Sequence, residues 1–184
     1  MYKIVLDPGH GGKDYGTTSI KSKLREKDIT LKIALYAMDF LRQQYEIRVR
    51  LTRENDVTVK LKERLKIAKR FKANMFISIH LNQSNGLGVE SFIGLEASKI
   101  NQELQQCLHN EINKLLVRKK LYMVGSHLRK INHEMLQKVS MSSVLFNHLC
   151  IDNDFKLLND ERFLKELGEA YAIGIGGFLG FETM

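Results

Sequence analysis

Proline occurs once in this 184-residue chain, cysteine twice and tryptophan not at all. Cys107 and Cys150 lie far apart with no C-x-x-C pair, which argues against a disulfide framework and for buried free thiols. No stretch approaches the roughly 18–20 consecutive apolar residues of a membrane span. The N-terminus enters a strand-like run directly, without the charged head, apolar middle and small-residue cleavage site of a Sec leader. Linkers, repeats and low-complexity segments are missing too. Negative charge is in short supply: 21 Asp and Glu face 29 Lys and Arg, a net charge of +8. Such a balance suits a nucleic acid, an anionic membrane or an anionic polymer and does not choose among them. The helix-turn-helix pairings, zinc-finger spacings and aromatic RNA motifs that would favour nucleic acid are lacking, so no nucleic-acid partner is expected.

What is present is 43% hydrophobic residues, enough for one buried core, so the chain reads as a single domain over residues 1–184. Lys3 to Leu6 is a short apolar run ending in a Pro-Gly turn, which predicts a buried strand. "DITLKIALYAMDFLRQQ" puts Ile29, Ile33, Tyr36, Ala37 and Phe40 on one helical face, with Asp28 as N-cap. "EIRVRLT" alternates as a second strand, and "KLKERLKIAKRFK", Lys60 to Lys72, is a helix with a basic outer face. That face reads either as ordinary solvated surface or as a binding surface. "NMFISIHLN" predicts a third strand, "GVESFIG" a fourth, "SKINQELQQCLHNEINKLLVRK" a long helix and "SSVLFN" a fifth strand. A closing helix, "DERFLKELGEAYAIGIGGFLG", carries glycines suited to close packing or fraying, whereas Leu121 to Met141 has no legible pattern. Strands alternating with helices predict an α/β fold: one domain, a mostly parallel, twisted central sheet, helices on both faces.

In such sheets ligands collect beyond the carboxyl ends of the strands. His10 follows the first strand, His80 ends the third, and Glu26 stands at the threshold of the first helix, so all three belong to one rim. Two imidazoles and a carboxylate from separate loops form a three-ligand set with one position open, as a catalytic zinc site requires. Gly9, Gly11 and Gly12 would let the backbone turn tightly around His10. The pattern alone leaves open that the histidines are polar strand ends and Glu26 a solvated carboxylate. A phosphate cradle is excluded, because "DPGHGGKD" matches neither G-x-x-x-x-G-K-[ST] nor a G-x-G-x-x-G opening onto a helix.

"IVLDPGHGGKD", "EKDITL", "LTR", "FISIHLN" and "GVESF", in this order and at these separations, resemble the zinc-dependent N-acetylmuramoyl-L-alanine amidases of the amidase-3 group. The resemblance runs from Lys3 through the last helix. It implies one Zn²⁺ held by His10, Glu26 and His80, and hydrolysis of the amide joining the lactyl group of N-acetylmuramic acid to the L-alanine of the peptidoglycan stem peptide. The implied partners are peptidoglycan and, through the basic surface, anionic wall polymers. The implied setting is synthesis in the cytoplasm and action at the wall after lysis or non-Sec release, with no separate wall-binding domain.

One departure bears on catalysis. Where the family's late strand reads like "AVLVELGFIDN", this chain reads "SSVLFNHLCIDN", which puts Asn147 at the position of the catalytic glutamate. An amide orients water but does not accept and return a proton. Three substitutes offer themselves: the adjacent His148, Glu90 of "GVESF" as a positioning group, and His133 or Glu134 in the unpatterned stretch. The reading is therefore an impaired amidase or, alternatively, a zinc-bearing relative without turnover that acts as a wall-binding or regulatory module. Tyr15 stands where "GKDPG" usually has proline, and "LQKV", Leu136 to Val139, stands where the family has "LRET". His109 and His127 lack ligand spacing and are expected at the surface.

Overall fold

The computed structural model describes residues 1–82, 88–121 and 127–181. Six strands form one sheet: β1 (Lys3–Pro8), β2 (Arg48–Leu51), β3 (Met75–Asn82), β4 (Val89–Gly94), β5 (His127–Ile131) and β6 (Ser142–Cys150). They are ordered β2-β1-β3-β6-β4-β5, and every pair is parallel except β4 with β6. The helices are α1 (Glu26–Gln44), α2 (Leu61–Phe71), α3 (Lys99–Arg118), α4 (Glu134–Lys138), α5 (Phe155–Leu158) and α6 (Glu161–Phe178). Ile4, Val5 and Leu6 are wholly buried because β1 lies inside the sheet with cover on both faces, which is why the run is apolar without alternation.

The two faces are covered unequally. Alternate residues such as Ile4, Leu6, Ile77, Val144 and Phe146 pack against α1, α3 and α6 in the larger core. Val5, Phe76, Phe92 and Leu145 meet the shorter α2 and α4 in a smaller one. The expected use of glycine in the last helix is borne out as close packing: a Cβ on Gly168 would come within 2.6–2.8 Å of Tyr36, Ala37 and Ile33 of α1, and one on Gly174 within 2.8 Å of the Leu108 Cα of α3. Residues at the carboxyl ends of β1 and β3, with Asn147 of the bulged β6, line a cleft.

Several expectations need correction. Helix α1 begins at Glu26, not after Asp28, and Arg25 at its cap position makes no side-chain cap bond. Loop carbonyls do the capping: Glu26 N donates to Thr17 O at 2.8 Å and Lys27 N to Tyr15 O at 3.2 Å, while Asp28 pairs with Arg25. The unpatterned stretch holds β5 and α4, with residues 122–126 outside the described set. Strand β5 escaped notice because it is an exposed edge, "HLRKI", with no buried alternation to read. Strand β6 extends to Cys150, and α5 was not foreseen. His109 is buried beside Ser91 rather than at the surface, its Nδ1 3.0 Å from the hydroxyl. Cys150 is buried as expected, Cys107 only half so, and both are free thiols.

Candidate metal centre and cleft

Strand β1 ends at Pro8, and Gly9 N then donates to Ile79 O at 3.0 Å, binding the turn to β3. A Cβ on Gly9 would overlap the His80 ring, so glycine is what lets the two strand ends approach. His10 follows with φ of 59°, a left-handed conformation that few non-glycine residues hold and that marks a constrained site. Its ring meets His80 edge-on, with centroids 5.0 Å apart.

Three donor atoms converge here. His10 Nε2 lies 3.2 Å from Glu26 Oε1, His80 Nδ1 lies 3.1 Å from the same oxygen, and the two nitrogens are 3.2 Å apart. Donors bound at about 2.0–2.1 Å to a tetrahedral ion stand about 3.3 Å from one another, so the triangle fits zinc and leaves a fourth position on its open side. Among the described residues, this trio has donor atoms all within 4.8 Å of one another. Gly16, at φ of 63°, closes the cradle: a Cβ there would lie 2.5 Å from His10 Cδ2 and 2.7 Å from Glu26 Oε2.

The surrounding groups hold each donor in place. Asp14 Oδ2 sits 2.9 Å from His10 Nδ1, which leaves Nε2 free to face the trio. Thr17 N donates to Glu26 Oε2 at 2.9 Å and Leu81 N to Oε1 at 3.0 Å. Burial by itself would raise the Glu26 carboxyl, but the hydrogen bonds and charges of His10 and His80 outweigh it and hold the group far below its ordinary range. Burial would likewise lower the His10 imidazole, and the Glu26 and Asp14 carboxylates raise it instead. Sequence reasoning missed Asp14. Its only signal was a carboxylate four residues after His10, and spacing within a loop does not say which side chains meet.

Beneath the site, Asp7 is buried and accepts from Arg64 Nη1 at 2.6 Å, Thr52 Oγ1 at 2.6 Å and Ser78 Oγ at 2.7 Å. Burial would raise its carboxyl, yet Arg64 and the two hydroxyls hold it below its usual value. Arg64 also donates to Pro8 O at 2.7 Å and His10 O at 2.6 Å, while Arg53 donates to Gly9 O and Lys27 O, both at 2.8 Å. Two buried guanidinium groups thus clamp the carbonyls of residues 8–10. Above this floor lies a cleft of ≈ 750 Å³ that the trio shares with Asn82, His133 and Asn147.

The sequence pattern of the N-acetylmuramoyl-L-alanine amidase family (Amidase_3) matches residues 4–176. The chain belongs to the N-acetylmuramoyl-L-alanine amidase family. It is 36% identical over 188 residues to an endolysin of Bacillus phage SPP1, a match covering 99% of this chain and 68% of that one. It is 32% identical over 178 residues to the sporulation-specific N-acetylmuramoyl-L-alanine amidase of Bacillus subtilis strain 168, over 95% of this chain and 67% of the relative. Its fold superposes with a TM-score of 0.86 on the catalytic domain of CwlV, an N-acetylmuramoyl-L-alanine amidase from Bacillus (Paenibacillus) polymyxa var. colistinus, at 29% identity over 99% of this chain and all of that one. Among the described residues of this amidase no helix is long and apolar enough to cross a membrane.

The amidase distributes the other expected site residues unevenly. Asn147 on β6 is level with His80 on β3 and Glu90 on β4, and it lines the cleft. Glu90 pairs with Arg129 of β5 at 3.1 Å and touches none of the trio. His148, next along β6, faces the opposite side of the sheet: it is wholly buried against Tyr171, and burial pushes its imidazole down to about 4. That placement keeps His148 out of the cleft and removes it as a stand-in base. His133 does line the cleft. Its Nδ1 accepts from Met135 N at 3.3 Å, and burial followed by the nearby His80 lowers its pKa. Glu134 is exposed and paired with Lys138. Leu136 and Val139 of "LQKV" pack in the smaller core. Tyr15 lies under the Lys27 ammonium, 4.5 Å from its ring centroid, and that lysine anchors the loop through Gly12 O at 2.8 Å and Asp56 at 2.6 Å.

Proposed function

We propose that this amidase binds one Zn²⁺ through His10 Nε2, Glu26 and His80 Nδ1 and hydrolyses the lactyl–L-alanine amide of peptidoglycan slowly, because Asn147 replaces the glutamate that moves the proton. The observation that carries the reading is the triangle of donors 3.1–3.2 Å on a side. When bound, the ion supplies a water of lowered pKa and polarises the scissile carbonyl. The chain's own residues do the rest. Asp14 keeps His10 in the tautomer whose Nε2 lone pair faces inward, and the N–H groups of Thr17 and Leu81 keep the Glu26 carboxylate ionised and aimed.

Asn147 can hydrogen-bond a substrate oxygen or a water from its place beside His80, but its amide neither accepts nor gives up a proton at neutral pH, so about 10²–10⁴ in rate is missing. His133 does not restore it. With Nδ1 accepting from Met135 N, the neutral ring carries its proton on Nε2 and serves the cleft as a donor, not as a base. Glu90, held by Arg129, is a positioning group for the part of the substrate that lies along β4.

Metal analysis of the purified protein tests the first half: one zinc per chain is expected, absent in His80→Ala. Release of stem peptides from purified walls tests the second, and should be slow, chelator-sensitive and lost in His80→Ala. The same asparagine favours a second reading, a zinc-bearing relative that binds wall without cutting it. Stoichiometric zinc with no peptide release at any enzyme concentration would select that one.

A further inference from the structure

The positive charge of this chain is not spread over its surface. Residues 42–72 carry eleven Lys and Arg against four Asp and Glu, so +7 of the net +8 falls within about one sixth of the length. Arg53 and Arg64 are buried in the floor of the site, and the other nine cations are exposed.

The fold gathers seven of those nine along α2 and the neighbouring sheet edge: Lys60, Lys62, Lys66, Lys69, Arg70, Arg48 and Arg50. Lys62, Lys66, Lys69 and Arg70 are exposed on α2. Arg48 and Arg50 project from the edge strand β2 on the same side of the sheet, since Val49 and Leu51 between them pack into the opposite core. Phe71 joins the two elements, with Lys3 Nζ and the Arg48 guanidinium each 5.9 Å from its ring centroid. At its other end α2 reaches the cleft, which Lys60, Leu61 and Arg64 help to line. A basic strip therefore runs from the mouth of the site along the helix to the edge of the sheet.

A solvated helix face ordinarily mixes signs, and the other helices do so: Lys32 with Glu161, Lys114 with Glu111, Lys119 with Glu166 and Lys138 with Glu134. Of the exposed cations on α2, only Lys66 has a carboxylate partner, Glu63 at 2.8 Å, among the described residues. Lys62, Lys66 and Arg70 follow one another at i,i+4 spacing, where like charges repel. The helix carries an unfavourable arrangement that a polyanion would relieve.

We propose that this face is a docking rail for a polyol-phosphate polymer of the cell wall, which holds the cleft against the mesh it cuts. The proposal rests on the amidase reading of the cleft, since the rail starts where a wall substrate has to lie. Flexible lysines meet backbone phosphates as point charges and read no sequence. Of the aromatic rings beside the strip, Tyr45 is buried, the Phe71 ring has cations at its face, and the exposed Tyr2 by itself is too little to stack successive bases.

Cosedimentation with purified walls tests it, using walls that keep their polyol-phosphate and the same walls stripped of it, over a range of NaCl. The metal-loaded protein is compared with a variant carrying Lys62→Gln, Lys66→Gln, Lys69→Gln and Arg70→Gln. The wild type should bind intact walls at least about tenfold more tightly than stripped ones, and the variant should lose most of that difference and show a shallower salt dependence. Unchanged zinc content and circular dichroism in the variant establish that the fold and the metal site survive. Equal binding to both kinds of wall, or full retention by the variant, overturns the rail. So does tighter binding of duplex DNA than of free wall polymer at equal phosphate concentration. Polymer-dependent binding by a protein that cuts no walls would sink the amidase reading and leave the rail standing.

Discussion

Asn147 sits level with His80 on the neighbouring strand, and on the proposed mechanism this single side chain decides the rate. Asn147→Glu is expected to speed stem-peptide release from walls by about 10²–10⁴ with zinc content unchanged. A wild type already fast, and a variant no faster, would show that the proton moves through another group. Asp14 acts on affinity instead. Asp14→Asn removes the carboxylate 2.9 Å from His10 Nδ1 and should weaken zinc binding about 10–100-fold in chelator competition, with the fold unaltered. The three donors were legible in the sequence because each stands at or near one end of a recognisable element. Asp14, and the exclusion of His148 from the cleft, were not: the first depends on how a loop closes, the second on which face of β6 each residue takes.

At the scale of elements, α2 serves the site from below through Arg64. Arg64→Leu leaves the Asp7 carboxylate buried without its cation, and denaturant unfolding near neutral pH should show a loss of about 3–5 kcal/mol. The sign of the pH dependence follows from the direction of the shift. Wild-type Asp7 lies below its unfolded value of about 3.9, so its contribution is complete above that pH and fades as acid takes the pH down through the folded value. In Arg64→Leu only the Thr52 and Ser78 hydroxyls oppose burial, so Asp7 rises relative to wild type, and the deficit should be largest near pH 7 and shrink on acidification. Helices α1, α2, α3 and α6 were legible because their apolar residues recur at helical spacing. Strand β5 and helix α4 were not, because one is an exposed edge and the other has five residues, too few to show a period.

At the scale of the whole molecule, the proposed ion ties the first strand, the first helix and the third strand together, so its binding should appear in global stability. Free zinc at 100 times its dissociation constant contributes about 2.7 kcal/mol, which for a domain of this size corresponds to a rise in Tm of roughly 5–10 °C. Thermal unfolding with and without chelator measures it, and His80→Ala should not respond. The amino-acid pattern alone determined an α/β chain with a mostly parallel sheet and three ligand candidates at strand and helix ends, since periodicity and the Pro-Gly turn are local properties. Only the tertiary structure decided that Asn147 faces the cleft and His148 the core, that His109 is buried, and that seven exposed cations of α2 and β2 share one face with the mouth of the site. Those facts depend on strand order and on which side of the sheet each element packs, and both are set by contacts between residues far apart in the chain.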